Sequence, residues 1–212
     1  MSGGKIVAVG GPDTPIPADI AVFDGTGKFI TPGIIDIHSH LGDYPSPDVE
    51  ANSDGNEATS PTTPEVWAEH SMWPQDPGFE QARRGGVTTI AILPGSANLF
   101  GGRGVTIKNV PSVSVQGMKF PDAPYSAKMA CGENPINYAA RGNDPFTRMG
   151  NMAGFRSAFI DAQAYLDRLT WEGAGQHYPH GVPDEVAETL RKELALIGKK
   201  QLAQYFLTIK EI

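Results

Sequence analysis

Phe29-Ile-Thr-Pro-Gly-Ile-Ile-Asp-Ile-His-Ser-His40 is the stretch on which the fold turns. Ile34 to His40 reads as a β-strand, with Pro32-Gly33 before it and Leu41-Gly42 after it as turn signals. Side chains alternate faces along a strand, so residues i and i+2 lie about 7 Å apart on one face. His38 and His40 then aim two imidazoles at one point while Ser39 faces away. Two convergent neutral imidazoles suit a divalent transition metal. The plainer alternative is a pair of core or surface histidines with no metal. Asp36 shares the face of His38, either to orient an imidazole or as a carboxylate bonded to backbone.

Working outward, residues 5 to 30 read as short strands with turns: Lys5–Val9, Ile20–Phe23 and Lys28–Ile30. From 32 to about 165, strand and helix alternate, which argues for parallel βα units. A long loop rich in Pro, Ser, Asp and Asn spans Gly42–Thr62, a length that usually marks function. Thr63-Pro-Glu65 starts a short helix through His70. Asp76-Pro77 starts another, which Gly85-Gly86 ends. Val87–Leu93 is a buried strand, uncharged and rich in β-branched residues. Leu99–Lys108 is Gly-rich; within it Gly101-Gly-Arg-Gly104 lacks the lysine and hydroxyl spacing of a phosphate-binding P-loop and reads as a loop on the substrate side, with Arg103 as a candidate anion contact. Val113–Met118 and Ala127–Cys131 read as strands. Met152, Phe155, Phe159, Ala162, Leu166 and Leu169 step by three and four along one face of a helix from Met149. Val186, Leu190, Leu194 and Ile197 do the same in a later helix.

Composition narrows the classes. The 212 residues are 40% hydrophobic and 19% charged, enough for one domain with a core. A net charge of −7 and no basic block argue against nucleic-acid binding. No apolar run approaches the ~20 residues of a membrane span, and the N-terminus lacks the apolar core of a secretory signal. A cytoplasmic location is the expectation, although intact relatives can be exported. Cys131 is the only cysteine, so no internal disulfide forms. It has no neighbouring base and reads as inert. Trp67 and Trp73 read as packing residues.

The string Thr31–His40, together with Gly85-Gly-Val-Thr-Thr89 entering a strand, resembles the first two barrel strands of the amidohydrolase superfamily. Ser53–Pro61, Glu65–His70, Trp73–Gly78, Leu93–Asn98 and Lys128–Pro135 narrow the likeness to a bacterial group related to imidazolonepropionase and metal-dependent peptidases. It covers about residues 5–168. It implies a partial TIM (β/α)8-type barrel, about the first four βα units, over 32–168, and part of a small flanking β-sandwich over 1–31. Several strands normally precede Lys5 in that family, so a clipped N-terminus is expected. The implied chemistry is hydrolysis of a small amide or peptide-like substrate at one or two divalent metals, zinc foremost.

Under that resemblance His38 and His40 are the first metal ligands. The offset from His40 to Lys128 resembles the hydantoinase and dihydroorotase branch, where a carboxylated lysine bridges two metals. A surface lysine is the alternative for Lys128, and Glu133 is a rival ligand. The family's later histidines and its aspartate come from strands that do not occur in these 212 residues. His70, His177 and His180 match none of them. The implied state is a truncated amidohydrolase, inactive alone, that self-associates through exposed barrel edges.

The C-terminal stretch reads differently. Leu169-Thr-Trp-Glu-Gly-Ala174, Tyr178-Pro-His-Gly-Val-Pro183, Glu193–Ile197 and Tyr205–Ile209 resemble the C-family bacterial DNA polymerase alpha subunit, error-prone branch. Residues 169–212 carry no triad of catalytic carboxylates. The alternative to a truncated enzyme is thus a non-catalytic chimera of amidohydrolase and polymerase pieces.

Overall fold

A computed structural model describes residues 2–139, 142 and 145–199. The chain divides into two units, residues 1–32 and residues 33–212. In the first, the described residues hold one isolated bridge, Ser2 to Lys5, and turns. The stretches expected as strands at Lys5–Val9, Ile20–Phe23 and Lys28–Ile30 carry no ladder among the described residues. The physical reason is exposure: Val9, Phe23, Phe29 and Ile30 are each at least 90% exposed, with no second apolar layer to bury them.

The second unit is built on a four-stranded sheet in the order β1-β2-β3-β4. Its strands are β1 (Ile34–Ser39), β2 (Val87–Ile92), β3 (Phe100–Lys108) and β4 (Ser126–Met129). β1 and β2 pair parallel. β2–β3 and β3–β4 pair antiparallel. This corrects the expectation of about four parallel units: one βαβ crossover is followed by a hairpin-like return.

The Gly-rich run explains the misreading. Gly101-Gly-Arg-Gly104 lies inside β3, not in a loop. At Gly102 φ is +111°, and an added Cβ would strike the backbone of Val66. At Gly104 it would come within 2.8 Å of the Ile92 carbonyl. Close crossing of neighbouring backbones, not turn formation, requires these glycines. Val115–Met118 is likewise a short helix, α2, capped by Ser114, where a strand was expected.

The crossover between β1 and β2 follows its sequence signals. Helix α1 (Pro77–Arg84) has Pro at its first position and Asp76 as N-cap, accepting from the Gly78 amide at 2.8 Å. Gly85 and Gly86 end it, Gly86 at φ +89°. Phe79 carries the helix into the core, 2% exposed. The expected helix at 63–70 is shorter, a 3-10 turn at Ala68–His70.

On one face of the β2–β3 ladder, Ile90 sits opposite Ile107 and Ile92 opposite Val105. All four are buried and pack with Ala68, Met72, Phe79 and Met118. Each such side chain contributes about 2 kcal/mol of transfer free energy.

Helix α3 (Glu133–Ala139) precedes the long α4 (Arg148–His177), and α5 (Asp184–Lys199) closes the described part. Phe155 and Phe159 of α4 meet Phe100 edge-to-face at 5.3 and 5.5 Å. Ala162 and Leu166 are buried, whereas Met152 and Leu169 at the ends of the same stripe are exposed. Asn151 ties α4 to the end of β4 by donating to the carbonyls of Cys131 and Gly132 at 3.2 and 3.0 Å. Tyr205–Ile209 lies outside the described residues. No helix among the described residues is long and apolar enough to cross a membrane.

Ile107→Ala removes a side chain with no exposed surface from the centre of the core. It should lower stability by about 2–5 kcal/mol, read as a fall in urea midpoint at unchanged slope.

Candidate functional site

His38 lies near the end of β1, and His40 follows one residue beyond it. The β1–β2 register shifts between Asp36 and Ser39, so strict alternation fails here. Ser39 nonetheless turns inward, buried against β2, and its carbonyl accepts from the Leu93 amide at 2.9 Å. The two imidazoles meet edge-to-face, their centroids 5.2 Å apart.

Nδ1 of His40 lies 2.7 Å from the Leu93 carbonyl. A carbonyl only accepts, so Nδ1 carries the proton and Nε2 keeps its lone pair. Burial lowers the His40 pKa, partly offset by the Leu93 hydrogen bond, and Lys128 and His38 lower it further. The neutral imidazole, the form that binds metals, is favoured.

Lys128 is on β4, across the sheet in sequence order but beside His38 in space. Its Nζ is 3.3 Å from Nε2 of His38. The side chain is buried, 8% exposed, and burial lowers its pKa. A snorkelling surface lysine is therefore not what the structure contains. His38, His40 and Lys128 converge, which sequence spacing alone cannot guarantee.

The other candidates fall elsewhere. Asp36 accepts from the backbone amide of His38 at 3.0 Å, the backbone-bonded role of the two expected for it. Glu133 opens α3 with an exposed side chain. His70 stacks on Trp67, and His177 ends α4. Arg103 is buried with its guanidinium 4.4 Å above the Trp67 ring, a packing role rather than an open anion contact. Cys131 is free and exposed. Among the described residues, no three His, Cys, Asp or Glu side chains are grouped closely enough to hold a metal. The available donor set is two imidazoles and a lysine, which fits a metal only in part.

Two acids escaped the sequence reading. Asp76 grips the loop after His40, accepting from the Gly42 and Ser46 amides at 2.9 and 3.1 Å as well as capping α1. Only its role as a helix start was legible. Asp43, whose amide donates to the His40 carbonyl at 3.1 Å, is fully buried. Burial pushes its pKa up to about 7, the Ser71 hydroxyl at 2.9 Å opposes this, and the Asp54 charge adds to it.

The comparisons with known proteins bear on this geometry. Over 216 aligned residues the chain is 38% identical to the amidohydrolase tasK of Hapsidospora irregularis, covering 95% of this chain and 22% of that protein. A crystal structure of an amidohydrolase from Thermotoga maritima MSB8 superposes with TM-score 0.73 at 42% identity, covering 83% of this chain and 45% of that one. The chain is an amidohydrolase homologue. It spans less than half the length of either relative. The likeness to the Thermotoga structure supports reading the sheet as part of a barrel.

Residues 164–212 match the family model of the bacterial DNA polymerase III alpha NTPase domain. An error-prone DNA polymerase of Hahella chejuensis is 54% identical over 52 residues, 24% of this chain and 5% of that one. The match begins inside α4, which runs unbroken from Arg148 to His177. The tasK similarity covers too much of the chain to stop at residue 168, so the two likenesses overlap.

The Asp43 shift predicts a pH dependence. The folded-state pKa of about 7 lies above the unfolded 3.8, so the folded chain binds more protons between them. The stabilising contribution is complete below the unfolded value and is lost as pH rises through the folded one. Thermal midpoints should fall from pH 4 to pH 7, and Asp43→Asn should flatten that slope.

Proposed function

We propose that the chain carries the opening part of a metal-dependent site for hydrolysing amide C–N bonds, with His38 and His40 as ligands and Lys128 as a bridging group. The observation that carries this reading is the convergence of the three side chains, together with the amidohydrolase likeness. A divalent metal, zinc foremost, would supply Lewis-acid polarisation of a carbonyl and a water of lowered pKa.

The chain's own residues prepare the site in separate ways. The Leu93 carbonyl fixes the tautomer and ring plane of His40, leaving Nε2 for a metal. Asp76 holds the following loop, so the His40 backbone has little room to shift. Uncarboxylated, Lys128 places Nζ 3.3 Å from Nε2 of His38 and so blocks that nitrogen. Carboxylation, in which the neutral amine adds to CO2 and gives up a proton, would turn the end of this side chain into an anion and free the imidazole. The lowered pKa of Lys128 assists, because the neutral amine is the form that reacts with CO2.

A catalytic zinc takes three protein ligands and a water. The described residues offer two imidazoles and one convertible lysine, so we propose that these 212 residues alone hold metal weakly and do not turn over. A second reading, a non-catalytic chimera, is favoured by the polymerase match at 164–212. DNA read continuously through the codons for 160–175 decides between a genomic fusion and misassembly.

Dialysed chain should retain well under one zinc per molecule by elemental analysis, with no hydrolysis of N-acyl amino acids, dipeptides or cyclic ureas. Stoichiometric zinc and turnover, both lost in His40→Ala and Lys128→Ala, would refute the incomplete-site reading.

We also propose self-association through β1, which pairs with β2 alone in the sheet and exposes Ile34, Ile35 and Ile37. Sedimentation should show concentration-dependent species, reduced by Ile37→Lys. A single sharp monomer across concentrations would count against it.

A further inference from the structure

Beside the His38–His40–Lys128 group lies a cavity of about 430 Å3, within the range of small-molecule sites. Pro94 and Gly101 form the wall it shares with that group. Pro94 follows Leu93, the acceptor of His40, and a Cβ at Gly101 would lie 3.6 Å from the Lys128 side chain. The rest of the lining includes Asp43, Asp54, Glu57, Glu65, Trp67 and His70. Three exposed acids, Asp54, Glu57 and Glu65, thus surround one space with the buried Asp43 carboxyl behind them, and no lysine or arginine lines it. Nearby cations are engaged elsewhere: Lys119 with Glu69 at 2.7 Å, and Arg103 over the Trp67 ring.

An acidic loop surface alone would be unremarked solvated charge. Two further observations set this one apart. Asp43 is fully buried, yet its Oδ2 has no hydrogen-bond partner, although Oδ1 accepts from Ser71. A buried carboxyl oxygen without a partner costs about 1–3 kcal/mol, and a cation in the cavity in front of it would offset part of that cost through space, by charge rather than by contact. The wall is also built rather than loose. The Asn56 amide donates to the Tyr44 hydroxyl and accepts from the Ala97 amide. The Tyr44 ring occupies the space a side chain at Gly55 would need. Asn98 donates to the carbonyls of Glu57 and Ser60 at 2.6 and 2.7 Å. The backbone of Asp54–Glu57 is therefore pinned against the chain leaving β2, which places its two exposed acids at the opening.

The kind of cation follows from the spacing. No three of these groups are close enough to share a metal ion. Carboxylates spread around a cavity suit instead a delocalised or bulky organic cation, which needs no tight inner shell. We propose that this cavity binds the ammonium or guanidinium group of a small organic molecule. On the hydrolase reading above, on which this last step rests, that group is the substrate's own positive end, lodged next to the bond to be cleaved.

Calorimetric titration of the full chain with n-butylguanidinium chloride and with its neutral analogue n-butylurea tests the binding directly, without metal or turnover. The expected result is saturable binding of the cation, about tenfold tighter than the urea, the equivalent of one ion pair of modest strength. Asp54→Asn with Glu57→Gln, both exposed positions, should weaken the cation by a similar factor and leave the urea unchanged. Binding should persist in His40→Ala. Equal affinity for the two probes, no saturation, or displacement by magnesium chloride beyond that by sodium chloride of equal ionic strength would overturn the proposal. If the cation binds while zinc and hydrolysis tests fail, the hydrolase reading alone falls. If the cation does not bind, this inference falls whatever the metal does.

Discussion

Burial of one strand, β2, organises the second unit. Val87–Ile92 has no charged residue and is hydrogen-bonded on both edges, to β1 in parallel and to β3 antiparallel. Its inward isoleucines, Ile90 and Ile92, have no exposed surface. A strand like this cannot leave backbone groups unpaired without a penalty for each. It must recruit neighbours, and the neighbours it recruits bring the chemistry. β1 delivers His38 and His40 at its carboxyl end, and β3 brings β4 with Lys128.

Around that strand, backbone geometry is held by a few buried polar side chains rather than by more apolar mass. Asp76 collects amides from Gly42, Ser46 and Gly78. Asn98 gathers the loop at 57–63, and Asn109 ties the carbonyls of Phe79 and Val87 together at 3.0 Å each. Each satisfies loop groups that no ladder reaches, as buried polar atoms require. The long loop between β1 and α1 is thereby ordered enough to wall a cavity. That order is what distinguishes a binding surface from a connector.

The site illustrates how one buried charge sets the terms for its neighbours. Lys128 is costly in an apolar strand as a free ammonium. Its Nζ lies 3.3 Å from Nε2 of the His38 imidazole, and no carboxylate among the described residues pairs with it. Burial accordingly lowers the Lys128 pKa.

The sequence alone determined local matters. Asp76-Pro77 and Gly85-Gly86 bounded α1 because capping and left-handed glycine are one-residue effects. His38 and His40 were legible as a pair from their i, i+2 spacing, although with the register shift before Ser39 it is the packing and not alternation alone that brings the rings together. The amphipathic centre of α4, with Phe155, Phe159, Ala162 and Leu166, was legible from its period. Tertiary structure decided the rest. Gly101–Gly104 became a strand because neighbouring backbones cross it too closely for a side chain, and a glycine run looks the same in a loop. The antiparallel return of β3 depended on which edge of β2 was open, a non-local choice that no periodicity encodes. Residues 5–30 have good strand composition but no ladder, since strand propensity yields a sheet only where a second surface covers it. Asp43 looked like any loop acid beside a glycine, and only the packing of Ser71 and the 54–57 segment around it made it a buried, half-satisfied carboxyl.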